Sequence, residues 1–131
     1  MSTRTDAREA AFKLVFEYLF NPDRDESLLQ ELISSHNLQS EKEYLVQVYD
    51  GVVANINELK QNVAQTAIGY KDGRIYKVDE AILLVSLYEI LYMPDIPFAV
   101  SVNEALELAK KFSTPKSSSF INGILAKFKN S

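Results

Sequence analysis

The chain has 131 residues, 47% of them hydrophobic and 24% charged, and its formal net charge at pH 7 is -4. This length predicts one domain with enough buried apolar surface to fold without covalent staples. The absence of cysteine excludes disulfides and thiolate metal sites. No apolar run approaches the roughly 20 residues of a membrane span, and the N-terminus lacks the apolar stretch of a signal peptide. We therefore expect a cytoplasmic protein.

Helical periodicity begins near the N-terminus. A first helix is predicted from apolar residues that share one face: Ala7, Ala11, Leu14, Val15, Tyr18 and Leu19. Asp6 and Glu9 are expected to cap it. Asn21-Pro22 ends it, because the residue before proline avoids helical angles. Asp25 is expected to cap a short second helix, which ends near His36, the one histidine of the chain.

The middle of the chain predicts a long third helix after the capping-box pattern of Ser40 and Glu43. Its apolar face covers residues 44–59, and the pattern continues to residue 68 as a separate helix after a bend. Residues 70–77 form the clearest loop, built on an Asp-Gly turn.

The last third predicts three further helices. Asp79 can begin one that runs to about Met93, and Ser101 with Glu104 forms the capping box of the next. A final helix follows the polar connector at residues 114–119. Six or seven helices without strands predict an all-α fold, a compact bundle in a single domain of residues 1–131. The loop before Asp79 is expected to divide this bundle into helical halves of about 1–69 and 76–131.

The sequence holds no evident catalytic constellation. His36 lies at a helix end, where a histidine is mildly favoured without any catalytic role. The four glycines never cluster into a phosphate-cradling loop, and no serine lies in a Gly-x-Ser-x-Gly elbow. Acidic pairs in helix first turns complement the helix dipole. We therefore expect no enzyme, no cofactor and no metal site; a small hydrolase built on carboxylates is the remaining enzymatic alternative.

Aromatic residues recur at helical spacing in the first helix. Phe12, Phe16 and Phe20 are four residues apart, so they share one face. Either the core buries all three rings, or some stay exposed and bind a protein partner. Phe112 and Phe120, on either side of the last connector, are open to the same two interpretations.

Basic residues are unevenly distributed along the chain. Residues 22–50 hold seven acids and two bases, whereas residues 110–131 hold five lysines and no acid. Arg4 and Arg8 share a helix face and, with several lysines, predict a discontinuous basic patch; the lysines are Lys13, Lys110, Lys111 and Lys116. Such residues either pair with neighbouring acids or contact phosphate. Tyr70 and Tyr76 either stack on a base or pack back onto the domain.

Several motifs together resemble the NusB family. They are Arg8-Glu-Ala-Ala-Phe-Lys-Leu14, Val78 to Ile90, Asp95-Ile-Pro97, Ser101-Val-Asn-Glu-Ala-Leu-Glu-Leu-Ala-Lys-Lys-Phe112 and Phe120-Ile-Asn-Gly-Ile-Leu125. The resemblance implies a compact all-helical fold of two packed helical subdomains and no enzymatic activity. It also implies a transcription antitermination factor. Such a factor pairs with the ribosomal protein NusE, binds boxA RNA as a single strand and joins the RNA polymerase antitermination complex.

The resemblance also implies residue roles. It assigns RNA binding to Arg4 and Arg8 and also to Lys110, and the basic patch adds Lys13 to this set. It assigns the NusE interface to Phe16, Asp79, Phe112 and Phe120, and we expect Lys116 of the last connector to belong to the same interface. The chain departs from the family pattern at Leu84, where a basic residue is usual, and at Lys116, where an acid is common. Few N-terminal arginines and Leu84 imply low RNA affinity without the partner.

A protein-interaction module without autonomous RNA binding is the alternative interpretation. The same helical scaffold could homodimerise through its phenylalanine surfaces, which would hide the aromatic rings from other partners.

Overall fold

The computed structural model describes residues 3–67 and 75–130. Within these ranges the chain forms seven α-helices, one 3-10 turn and no strand, which confirms the all-α prediction. The helices are α1 (Arg4–Phe20), α2 (Glu26–Ser35), α3 (Lys42–Ala54), α4 (Ile56–Thr66), α5 (Lys77–Tyr92), α6 (Phe98–Phe112) and α7 (Ser117–Ala126), with the 3-10 turn at Gln39–Glu41.

The first helix begins one turn earlier than the sequence suggests. The Thr3 hydroxyl accepts a hydrogen bond from the Asp6 backbone N–H at 3.1 Å, and the Asp6 carboxylate accepts one from the Thr3 N–H at 3.3 Å. This is a reciprocal capping box. The expected pair of Asp6 and Glu9 was therefore wrong, and Glu9 remains available to pair with lysines. The predicted end at Asn21 is confirmed.

The second and third helices follow the sequence more closely. The Asp25 carboxylate caps α2 by accepting a hydrogen bond from the Leu28 N–H at 2.9 Å, and α2 ends at His36, as predicted. A separate α4 is confirmed, but the break lies at Asn55, inside the stretch 44–59 that was predicted to be continuous. The capping box expected from Ser40 and Glu43 was wrong, because the 3-10 turn intervenes and α3 begins at Lys42 without a side-chain cap.

Helix α5 lies at the centre of the bundle. Every residue from Ala81 to Glu89 is buried, because α5 packs against α1, α3, α4, α6 and α7. A helix covered on all sides has no polar face, which explains why its buried stretch is apolar apart from Ser86 and Glu89. Gly51 of α3 lies directly against the ring of Tyr88 in α5, a close approach that a side chain at Gly51 would prevent.

Helix α6 also begins earlier than predicted. Pro97 is its N-cap residue and Phe98 its first residue, so Ser101 and Glu104 lie about one and two turns inside the helix and do not cap it. The expected capping box was therefore wrong. Both side chains instead point toward α1 and α5, where they take part in the buried contacts described below.

One continuous apolar core includes residues from all seven helices. Helices α1 and α5 contact elements from both expected halves, and the division of the bundle into halves stays a prediction. Tyr70 and most of the predicted loop at 70–77 lie outside the described residues. In the described ranges, no helix is both long and apolar enough to cross a lipid bilayer.

Candidate functional site

The phenylalanines of α1 pass gradually from the core to the surface. Phe12 is 4% exposed, Phe16 is half-buried and Phe20 is 62% exposed. Neighbouring rings touch, with centroids 6.1 Å apart for Phe12 and Phe16 and 5.0 Å apart for Phe16 and Phe20. Phe112 of α6 packs on Phe12 at 5.1 Å. The core therefore extends outward along α1 as an aromatic ridge that ends in solvent.

Two adjoining grooves lie beside this ridge, and together we call them the aromatic surface. The first has a volume of about 400 Å³ and is lined by Phe16, Phe20, Tyr76, Lys77, Val78, Phe112, Ser113 and Thr114. The second has a volume of about 440 Å³ and is lined by Tyr76, Asp79, Thr114, Pro115, Lys116, Ser117 and Phe120. Because Tyr76 and Thr114 line both grooves, the surface is continuous. It contains all five residues predicted for the partner interface.

Asp79 anchors the floor of the second groove. It is 2% exposed and accepts hydrogen bonds from the hydroxyls of Ser113 and Ser117, the latter at 2.9 Å. It lies in the first turn of α5, where a carboxylate is favoured by the free N–H groups of the helix. The Thr114 hydroxyl lies 2.9 Å from that of Ser117 and continues the network. Asp79 therefore fixes the connector between α6 and α7 and shapes the groove from below.

Three of the four predicted RNA-binding residues lie on the surface, each paired with a carboxylate. The pairs are Arg4 with Glu41 at 2.6 Å, Lys13 with Glu9 at 3.1 Å and Lys110 with Glu107 at 3.4 Å. The exposed fractions of the three basic side chains are 44%, 38% and 68%. Ion pairs this exposed contribute at most about 1 kcal/mol, so exchanging one for a contact with a ligand costs little.

Arg8, the fourth predicted RNA-binding residue, is 5% exposed. Its Nε donates to Glu89 at 2.7 Å, and its Nη1 donates to Glu104 at 2.9 Å. Burial alone would lower the pKa of Arg8, but the hydrogen bond and charge of Glu89 raise it above its ordinary value. The positive charge of Arg8 is thus already paired with Glu89 and Glu104 inside the protein. This geometry favours a structural role for Arg8 over the phosphate contact expected from the sequence.

A buried polar cluster surrounds Arg8 and consists of Arg8, Tyr44, Glu89, Ser101 and Glu104. Glu89 is 1% exposed and accepts hydrogen bonds from Arg8, from the Tyr44 hydroxyl and from the Ser101 hydroxyl at 2.7 Å. Burial and the nearby carboxylate raise the pKa of Tyr44 well above its ordinary value of 10.0. Because its members come from α1, α3, α5 and α6, the cluster joins four helices at one point.

Lysines adjoin the aromatic surface at Phe112. Lys13 and Lys111 lie 5.8 Å and 5.3 Å from the centre of the Phe112 ring, within the range of cation–π attraction. Lys111 also pairs with Glu9 at 2.7 Å. Burial alone would raise the pKa of Glu9, but hydrogen bonds from Lys111 and Lys13 hold it below its ordinary value. The basic residues of α1 and α6 therefore border the aromatic residues directly.

The described part of the chain contains no group of three or more histidine, aspartate or glutamate side chains arranged to hold a metal ion. A model of the NusB family matches residues 5–130, almost the whole chain. The chain belongs to the NusB family. The resemblance seen in the sequence motifs is thereby confirmed.

The similarity to this family holds in sequence and in structure. A transcription antitermination protein NusB from Ruminiclostridium cellulolyticum is 41% identical over 125 residues, which cover 95% of this chain and 86% of the relative. The structure of T. maritima NusB is 30% identical, with a TM-score of 0.87, and the match covers 99% of this chain and 92% of that one. A crystal structure of NusB and NusE in complex with double-stranded RNA shares the fold, with a TM-score of 0.84 at 20% identity and coverage of 96% and 95%.

Sequence reasoning missed part of the site in this NusB-family chain. Phe20 was left open as core or surface and is the most exposed large apolar residue described, closely followed by Tyr76 at 60%. The four-residue spacing of the phenylalanines was the signal for Phe20. Glu89 carried no such signal, because Tyr44 and Arg8 are 45 and 81 residues away along the chain.

Proposed function

We propose that this chain is a transcription antitermination factor that binds boxA RNA together with NusE and so joins RNA polymerase. It acts as an adaptor in the cytoplasm, without catalysis. One observation carries the proposal: the five residues expected at the partner interface, which come from distant parts of the sequence, all line one continuous aromatic surface. Family membership supplies the activity to which this surface is assigned.

The aromatic surface suits a protein partner. Exposed phenylalanine and tyrosine rings anchor interfaces, because they bury a large apolar area with few rotatable bonds. Phe20 and Tyr76 are both well over half exposed, so their rings have most of their area still to bury. We assign this surface to NusE, with Phe16, Phe112 and Phe120 forming its less exposed floor.

The basic residues suit RNA only in part. Arg4, Lys13 and Lys110 are already paired with carboxylates, so each phosphate contact replaces an existing ion pair. This arrangement supports weak RNA binding by the chain alone and tighter binding when NusE adds its own surface. If NusE raises the affinity for boxA RNA, then boxA RNA raises the affinity for NusE by the same factor.

Titration of fluorescently labelled boxA RNA tests the proposal. We expect weak binding by the chain alone and binding at least tenfold tighter when NusE is present at a saturating concentration. A scrambled RNA of the same length and base composition is the control, and we expect NusE to produce no comparable gain with it. Equal affinities for boxA and scrambled RNA in the presence of NusE would contradict the proposed function.

Truncation of an exposed ring tests the partner surface. We expect Phe20→Ala to weaken NusE binding by about 1–2 kcal/mol, because hot-spot aromatics dominate interface energies. The matched control is Tyr92→Ala, which removes another exposed ring, 38% exposed and outside both grooves. Isothermal titration calorimetry with NusE measures both. An equal loss in the two variants, or none in either, would contradict the assignment of this surface.

The alternative is a homodimer that uses the same surface. The exposure of Phe20 and Tyr76 is what favours it, because an unpartnered apolar patch promotes self-association. Light scattering at micromolar concentration distinguishes the two. A monomer that forms a one-to-one complex with NusE supports the adaptor, whereas a stable dimer that excludes NusE supports the alternative.

A further inference from the structure

A separate pocket lies beside the N-terminus of α1, away from the aromatic surface. It has a volume of about 270 Å³, and its lining includes Arg4, Glu41, Glu43, Gln47 and Met93, with Tyr44 below Arg4. We call it the Arg4 pocket. It shares no residue with either groove of the aromatic surface. Its volume lies below the usual range for drug-sized ligands and suits a single small group.

The guanidinium of Arg4 lies over an aromatic ring in this pocket. Its Cζ lies 4.3 Å above the centre of the Tyr44 ring, and its Nε donates to Glu41 at 2.6 Å. The Tyr44 ring itself is fixed, since it is 4% exposed and its hydroxyl donates to the buried Glu89. The guanidinium of Arg4 therefore lies over a fixed ring, and 44% of the Arg4 side chain remains exposed. An incoming group can contact a guanidinium that Tyr44 and Glu41 already hold in place.

The charges of the pocket select against phosphate. Two carboxylates, Glu41 and Glu43, accompany one guanidinium, so the local charge is negative and repels an anion. Carboxylates accept hydrogen bonds from N–H donors, and the Gln47 amide both donates and accepts. A flat, neutral group whose edge carries N–H donors satisfies these conditions. An unpaired nucleobase with an exocyclic amino group is such a group, because bases stack on arginine planes and offer their Watson–Crick edges.

We propose that the Arg4 pocket binds one unpaired, amino-bearing nucleobase of the RNA, stacked on the Arg4 guanidinium and hydrogen-bonded at its edge by Glu43 and Gln47. This inference rests on the proposed RNA-binding function and adds a base-reading subsite to it. Arg4 then recognises the RNA through its planar shape, while Lys13 and Lys110 supply the phosphate contacts.

The substitution Arg4→Lys separates the two modes of recognition, because it keeps the positive charge and removes the plane. With NusE present, we expect Arg4→Lys to weaken boxA RNA binding at least fivefold, the lower end of the range for loss of one stacked base. The slope of log affinity against log salt should stay unchanged, because the number of neutralised phosphates is the same. Unchanged affinity in Arg4→Lys would overturn the proposal.

Arg24 provides a matched control within the same chain. Its guanidinium also lies over a tyrosine, 5.3 Å from the centre of the Tyr49 ring, and it pairs with the carboxylates of Asp50 and Glu26, as Arg4 pairs with Glu41. It does not line the Arg4 pocket. We expect Arg24→Lys to bind boxA RNA as tightly as the unmodified chain. If Arg24→Lys lost as much RNA affinity as Arg4→Lys, the effect would come from the loss of any arginine. That result would overturn the assignment of a base to the Arg4 pocket.

A double-substitution cycle locates the base. Replacing each boxA nucleotide in turn by an abasic site should identify one position at which the base loss weakens binding by the unmodified chain but hardly affects Arg4→Lys. Uracil at that position should also weaken binding. If the effects of Arg4→Lys and of base removal were additive at every position, the assignment of a base to the Arg4 pocket would be overturned. If the unmodified chain with NusE does not prefer boxA over scrambled RNA, the proposed function itself fails, which is a distinguishable result.

Discussion

At the scale of single residues, the deepest charge in the bundle depends on its partners. Glu89 is 1% exposed, and both of its carboxylate oxygens accept hydrogen bonds: one from Ser101, the other from Arg8 and Tyr44. A buried carboxylate is tolerated only when it is paired and fully hydrogen-bonded. Arg8 supplies the one positive charge among these donors, so the stability of the carboxylate depends on it most directly.

We therefore expect Arg8→Ala to lower the free energy of unfolding by about 3–5 kcal/mol, the usual cost of leaving a buried charge without its partner. Urea denaturation followed by circular dichroism measures this loss. Arg4→Ala is the control, and we expect it to cost about 1 kcal/mol or less, because its ion pair is exposed. An Arg8→Ala protein that keeps full stability but loses RNA binding would instead support a phosphate contact for Arg8.

At the scale of elements, the packing of α3 on α5 depends on a single missing side chain. A Cβ at Gly51 would overlap the ring of Tyr88, which is itself buried and stacked on Tyr92 with ring centres 5.1 Å apart. The Tyr88 ring can therefore yield only by disturbing its neighbours. The two helices can approach this closely because position 51 is glycine.

We expect Gly51→Ala to destabilise the protein by about 1–3 kcal/mol, the usual cost of overpacking, even though alanine is the better helix former. Gly123→Ala is the matched control, because Gly123 also lies within a helix and a Cβ there meets nothing within 4 Å. We expect this control to be stabilised by up to about 1 kcal/mol. Thermal unfolding measures both, and a stabilised Gly51→Ala protein would show that the two helices move apart readily.

The elements themselves were largely predictable from the sequence, whereas their ends and their polar contacts were not. Apolar periodicity located every helix, and proline and asparagine marked where α1 stops. The capping patterns at Ser101 and Glu104 were misleading, because Pro97 starts the helix earlier and frees both side chains for the buried polar cluster. A local pattern cannot reveal that a polar residue faces a partner about 100 positions away, as Glu104 does with Thr5 and Arg8.

At the scale of the whole molecule, an acidic protein is proposed to bind an anionic strand. The formal net charge is -4, and the candidate phosphate contacts are few: Lys13 and Lys110, with Arg4 assigned to a base. Each neutralised phosphate adds about 0.7 to the salt dependence of single-strand binding. The long-range field of the protein therefore does little to attract RNA, and short-range contacts determine recognition.

We therefore expect the slope of log affinity against log salt for boxA RNA to be no steeper than about -2 for the chain alone. It should become steeper when NusE adds its own basic groups. Titrations between 50 and 200 mM salt, about the usual working range, measure both slopes. A slope of about -5 or steeper for the chain alone would show that further basic residues contact the RNA.

The phenylalanine ridge of α1 has a consequence for genetics. Phe12 is buried in the core, Phe20 is exposed to solvent, and Phe16 is partly buried against the core. Substitutions at Phe12 should lower the amount of folded protein in the cell and so abolish all of its activities together. Substitutions at the exposed end should yield a protein of normal abundance that fails to bind a single partner. Separation-of-function alleles are therefore best sought at Phe20.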